Sequence, residues 1–82
     1  MNPEDIKVLL AAALPGAEIH VEGDDGRHFN LVLVSAVFEG MRTIKRQQLV
    51  YAALNEQISS GAIHAVNMLT FTPAEWAGRG SA

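Results

Sequence analysis

The chain has 82 residues, a formal net charge of −3 and no cysteine. That length holds one domain with a thin core, because a chain this short buries only about 60–65% of its unfolded surface. The acidic balance argues against nucleic acid or an anionic membrane as a whole-molecule partner. Without cysteine there is no disulfide framework, no catalytic thiol and no thiolate for a metal, so histidine and carboxylates are the only strong ligands. The first five residues, Met1-Asn2-Pro3-Glu4-Asp5, are acidic and lack the basic start of a signal peptide. No apolar run reaches the roughly 18–20 residues that span a bilayer. The expected compartment is the cytoplasm.

Asn2 fits an N-cap, Pro3 the first helical position, and Glu4 and Asp5 the positive end of the helix dipole. Ile6, Leu9, Leu10, Ala13 and Leu14 recur at helical spacing, which predicts a helix over 3–14, stopped by Pro15-Gly16. Ala17, Ile19 and Val21 then alternate with Glu18, His20 and Glu22, the pattern of a strand with one wet face. Gly23-Asp24-Asp25-Gly26 is turn chemistry, and a second strand follows over about 27–35 with Phe29, Leu31 and Leu33 inward. Facing residues of an antiparallel pair share a side of the sheet, so the loop between these strands must be odd in length. Three loop residues would set His20 opposite His28; five would set Glu22 there.

Phe38-Glu39-Gly40 breaks the chain before a long helical stretch over about 41–58, expected to bend or split near 43–46, where Arg42, Lys45 and Arg46 crowd. Gly61 suits a C-terminal cap. Residues 62–71 read as a third strand, and Thr72-Pro73-Ala74-Glu75 as a capping box opening a short helix that carries Trp76. The ordered core should span about 3–77, with residues 78–82 frayed. A strand–helix–strand crossover makes strands two and three parallel. The fold class is therefore α+β: two layers, with a three-stranded mixed sheet and helices on one face.

No nucleophile–base constellation, phosphate loop or metalloprotease motif is present, so the chain does not read as an enzyme. His64 stands at the start of the third strand and His28 beside the turn. Each is either a half-exposed strand-end histidine or a metal ligand, since neutral imidazole suits iron and zinc. His20 reads as a solvated residue on the wet face. Arg42, Lys45 and Arg46 form either a solvated helix face or a docking patch for acidic partners or phosphates.

Gly26-Arg27-His28-Phe29, Phe38-Glu39-Gly40, Lys45-Arg46-Gln47-Gln48-Leu49-Val50-Tyr51, Ile63-His64-Ala65-Val66 and Thr72-Pro73-Ala74-Glu75-Trp76 occur in that order. Together they resemble the BolA-like family, and within it the bacterial IbaG branch, over nearly the whole chain. The resemblance implies an α-β-β-α-α-β-α fold similar to a class II KH domain. It also implies a partner, a monothiol glutaredoxin of the CGFS type. The heterodimer would share a [2Fe–2S] cluster held by the glutaredoxin cysteine, the cysteine of glutathione and ligands from this chain.

The family ligand in the Ile-His-Ala motif corresponds to His64. The second family ligand, a histidine or cysteine in the loop between strands one and two, corresponds to His28, with His20 as the fallback. The implied role is an adaptor or regulator in iron–sulfur trafficking or in iron, redox or stress signalling. Two histidines on one iron would resemble a Rieske centre. The alternative is a KH-like nucleic-acid-binding transcriptional regulator using Arg42, Lys45 and Arg46, although Gly23-Asp24-Asp25-Gly26 has the wrong place and charge for a KH phosphate loop. A third reading is a plain interaction module, a homodimer without metal.

Overall fold

The computed structural model describes residues 1–23 and 25–80. Its elements are α1 (Pro3–Ala13), β1 (Glu18–Glu22), β2 (His28–Val34), a 3-10 turn (Ala36–Phe38), α2 (Thr43–Ala53), α3 (Asn55–Ser59), β3 (Ala65–Phe71) and α4 (Pro73–Gly80). This is the α-β-β-α-α-β-α order. The strands form one mixed sheet in the order β1-β2-β3, with β1 antiparallel and β3 parallel to β2.

Alternation along the strands divides the sheet into two faces. Ile19, Phe29, Leu31 and Leu33 turn inward, where Ile6 and Leu10 of α1, Phe38 of the 3-10 turn and Val50 of α2 complete a core with Leu54 and Ile63. Each such side chain contributes about 1.5–3 kcal/mol by leaving water. The outer face presents Glu18, His20 and Glu22 from β1, His28, Asn30, Val32 and Val34 from β2, and Ala65, Asn67, Leu69 and Phe71 from β3. Trp76 of α4 closes one end of that face, its ring 5.3 Å from Phe71 and 6.1 Å from His20. Among the described residues no helix is long and apolar enough to cross a membrane.

Four boundaries differ from expectation. The hairpin pairs Val21 with Leu31 and Glu22 with Asn30, leaving 23–29 between the last paired residues. The parity is odd, as required, but the loop is longer than three or five residues, so His28 faces neither His20 nor Glu22. Its strand partner is Ala65. The helical stretch begins at Thr43 and breaks at Leu54 rather than near 43–46. Leu54 leaves helical geometry (φ −109°, ψ 10°) and is fully buried, so the bend lets the chain bury Leu54 while α3 turns Ile58 toward the same core. The third strand starts at Ala65, after Ile63 has turned into the core. Residues 78–80, expected to fray, continue α4, whose last turn is held by the Arg79 guanidinium 5.2 Å above the Phe71 ring. Residues 81 and 82 lie outside the described residues.

The absence of crowding near 43–46 has a simple cause: Arg46 points inward. It is only 9% exposed. Its guanidinium donates to the carbonyls of Met41 and Thr70 and to both carboxylate oxygens of Glu75, the shorter bond 2.7 Å, and lies over the Phe38 ring. Arg46 is therefore a structural cation and not part of a docking patch, which corrects its expected role. Burying an arginine is tolerable only when its donors are satisfied this fully. Glu75 in turn accepts the Thr72 N–H while the Thr72 hydroxyl accepts the Glu75 N–H, the capping box expected at α4.

The Arg46 hydrogen bond, with help from the Thr72 N–H, holds the Glu75 carboxyl below its ordinary value of 4.5. A depressed carboxylate contributes stability above its unfolded pKa and loses it as pH falls through the folded one. Glu75→Gln should therefore lower the melting temperature at neutral pH. The gap to wild type should close progressively below about pH 4.5, as followed by thermal melts across pH. Gly23 gives a second test, because a Cβ there would stand 2.6 Å from the Phe29 ring and 2.7 Å from the His28 carbonyl. Gly23→Ala should destabilise by about 1–3 kcal/mol in urea titration.

Candidate metal-binding site

The turn between β1 and β2 is organised by one carboxylate. Asp25 Oδ1 accepts the N–H groups of Arg27 and His28, both at 2.8 Å, and Oδ2 meets His28 Nδ1 at 2.6 Å. These bonds, the Arg27 N–H foremost, hold the Asp25 carboxyl well below the usual carboxylate range. An ionised carboxylate only accepts, so the neutral His28 ring carries its proton on Nδ1 and leaves the Nε2 lone pair free. A carboxylate behind the distal nitrogen is the arrangement that orients metal-binding histidines.

His64 arrives from the other end of the fold. Ile63 is sunk into the core, and the His64 and Ala65 N–H groups both donate to the carbonyl of Arg27. That junction starts the parallel ladder and sets His64 beside His28. The ring centroids are 6.1 Å apart, with planes at 77°. Metal–nitrogen bonds of about 2.0–2.1 Å would put two imidazoles on one ion at a centroid separation of about 5–6 Å. The pair stands close to that spacing, and both residues are exposed. A groove of about 260 Å³ lined by Tyr51, Ile58, Ile63, Ala65 and Val66 adjoins His64.

The other expected site residues lie apart. His20 faces Val32, four residues along β2 from His28, or about 13 Å. Its Nε2 bonds Glu18 at 2.6 Å and its ring lies against Trp76, so the fallback ligand does not join the pair. Arg42 and Lys45 are exposed at the start of α2. Among the described residues there is no group of three or more histidine, cysteine or carboxylate side chains able to hold a metal. The arrangement offers two imidazole nitrogens at an open surface. It can complete a site whose remaining ligands come from elsewhere.

Sequence reading missed Asp25 as the residue that positions His28. The signal was an aspartate three residues before a histidine at a strand start, where an Asx turn can also reach the ring. The Arg27 carbonyl left no signal in residue type.

The fold and this open imidazole pair define a small α+β domain built around a mixed three-stranded sheet. The BolA-like protein family model matches residues 1–75, and the chain belongs to the BolA-like family. It is 46% identical to the acid stress protein IbaG of Escherichia coli K12 over 77 residues, covering 94% of this chain and 90% of that one. A solved bolA protein homologue from Coxiella burnetii superposes with a TM-score of 0.83 at 36% identity, covering 94% of this chain and 97% of the other. The BolA domain of SufE1 from Arabidopsis thaliana superposes with a TM-score of 0.80 at 38% identity, covering 89% and 93%.

Asp25→Ala should lower the melting temperature and speed amide exchange at Arg27 and His28, whose N–H groups lose their acceptor. Asp25→Asn, which keeps one oxygen acceptor, should restore part of that protection. Hydrogen-exchange NMR reads both.

Proposed function

We propose that this chain is a cytoplasmic adaptor that pairs with a CGFS-type monothiol glutaredoxin and contributes His64 and His28 to a shared [2Fe–2S] cluster. The observation that carries the reading is the 6.1 Å approach of two exposed imidazoles, one of them held with Nε2 free by Asp25. The donor set fits a shared group. Iron–sulfur clusters are normally held by thiolates, which this chain lacks. Glutaredoxin and glutathione would supply them, and two imidazoles would complete a Rieske-like ligand set. Bound there, the cluster would supply one-electron redox chemistry at a raised potential.

The chain's own residues have distinct parts in this role. His64 is fixed through its backbone to Arg27 and has its ring at the rim of the Tyr51 groove, open to a partner's surface. His28 is aimed by Asp25. With Asp25 engaged in orienting His28, the reading is of an adaptor or regulator in iron–sulfur trafficking or in iron, redox or stress signalling. The resemblance to an acid stress protein accords with a stress role. The nucleic-acid alternative keeps only Arg42 and Lys45, since Arg46 is engaged with Glu75.

Mixing the chain with a monothiol glutaredoxin, glutathione, iron and sulfide should give a visible and circular-dichroism spectrum distinct from that of glutaredoxin alone. His64→Ala should return the spectrum to the glutaredoxin-only form, and His28→Ala should shift it while leaving heterodimer formation detectable. A spectrum indifferent to the chain, or to both substitutions, would overturn the reading.

A further inference from the structure

The C-terminal helix α4 is fastened to the body from both sides of the sheet. On β3, the Phe71 ring lies 5.3 Å from the Trp76 ring and carries the Arg79 guanidinium at 5.2 Å. From α2, Arg46 pairs with Glu75 at 2.7 Å. On the opposite edge strand, the His20 ring of β1 lies 6.1 Å from the Trp76 ring, with planes at 31°. Trp76 therefore bridges the outer face from β3 to β1. Val34, between them on β2, is buried although it points to that face.

The surroundings of His20 are acidic. Its Nε2 meets Glu18 Oε2 at 2.6 Å. A carboxylate only accepts, so the neutral ring carries its proton on Nε2 and leaves Nδ1 bare. Glu22 stands two residues further along the same face, and Glu4 and Lys7 of α1 line the groove that holds His20 and Glu22. Among the described residues, that is three carboxylates against one ammonium. From β2 the facing residue is the neutral Val32, flanked by Asn30 and Val34. Of the charges on α4, Glu75 is tied to Arg46 and Arg79 lies over Phe71. What α4 turns toward His20 is the Trp76 ring. A second proton on His20 converts the Glu18 contact into an ion pair. It also sets a cation at about the 6 Å reach of attraction to an indole face.

We infer that His20 is a pH-sensitive latch for α4: as imidazolium, bonded to Glu18 and laid against Trp76, it clamps the helix to the β1 edge, and as neutral imidazole it holds the helix less tightly. Imidazoles titrate between about pH 5 and 8. Glu75, held below its ordinary value of 4.5 by the Arg46 hydrogen bond, stays ionised over that interval. Mild acid therefore tightens the β1 attachment without loosening the Arg46 one. The latch uses neither His28 nor His64, so it stands apart from the metal reading.

Trp76 is the single tryptophan, and imidazolium quenches indole emission more than neutral imidazole does. Emission from the isolated full chain should therefore fall between pH 8 and about pH 5.5, within the imidazole range. The Trp76 N–H, bonded to the Thr72 carbonyl, reports opening of the first turn of α4. Corrected for intrinsic pH dependence, its exchange should slow about two- to fivefold over the same interval. Leu14, at the end of α1 on the other face of the sheet, should not follow it. His20→Gln should remove both responses and leave Trp76 exchange fast at either pH. His20→Arg, a permanent cation, should also remove the pH response but leave exchange slow at either pH. Circular dichroism checks the fold of both variants. Wild-type emission and Trp76 exchange that ignore pH would overturn the latch. So would a response that survives in His20→Gln, or exchange in His20→Arg as fast as in His20→Gln.

Discussion

The carbonyl of Arg27 accepts two N–H donors, from His64 and Ala65, that lie far away in the chain. Everything notable about the outer surface follows from that junction. It starts the parallel ladder and fixes the register in which Phe29 meets Val66 and Leu31 meets Met68. Through Ile63 it ties that register to the core. A slip of one residue would turn the Val66 and Met68 side chains out to solvent, and with them would go the approach of His64 to His28. The histidines owe their position to backbone pairing and core packing rather than to any attraction between rings.

The legible part of the fold was the part governed by local rules. The α1 and α4 caps follow from proline and capping residues at fixed offsets, and the two-faced strands follow from alternation. What stayed hidden depended on the tertiary environment. Hairpin parity follows from which side chains face inward, but loop length does not. Here Asp25 stabilises a wider turn, and Phe29 seals Gly23 beneath it. The helix break appears at Leu54 because the core needs that side chain, a demand invisible in its neighbours. Arg46 misled for the same reason. Between Lys45 and Gln47 it reads as a surface cation, and only Glu75, 29 residues on, reveals it as a buried one.

The candidate site divides along the same line. The residue types announced themselves, because a chain without thiols and with three histidines has few ways to bind a soft or borderline metal. Which two histidines meet was a question of register. The ladder answers it by bringing His28 to His64 and leaving His20 with Glu18 and Trp76. The positioning carboxylate of Asp25 then gives one of the two rings a defined proton and a defined direction.

The Arg27 junction also has a kinetic side. The two imidazoles belong to segments separated by an entire helical crossover, and the long-range parallel contact that unites them is among the slower kinds to form. During synthesis, a chain still lacking its last strand has His28 on a hairpin without its parallel neighbour and no second imidazole beside it. The pair arises only when the crossover closes. A nascent or partly unfolded molecule would therefore present single imidazoles, and the paired surface exists only once the polypeptide has finished folding.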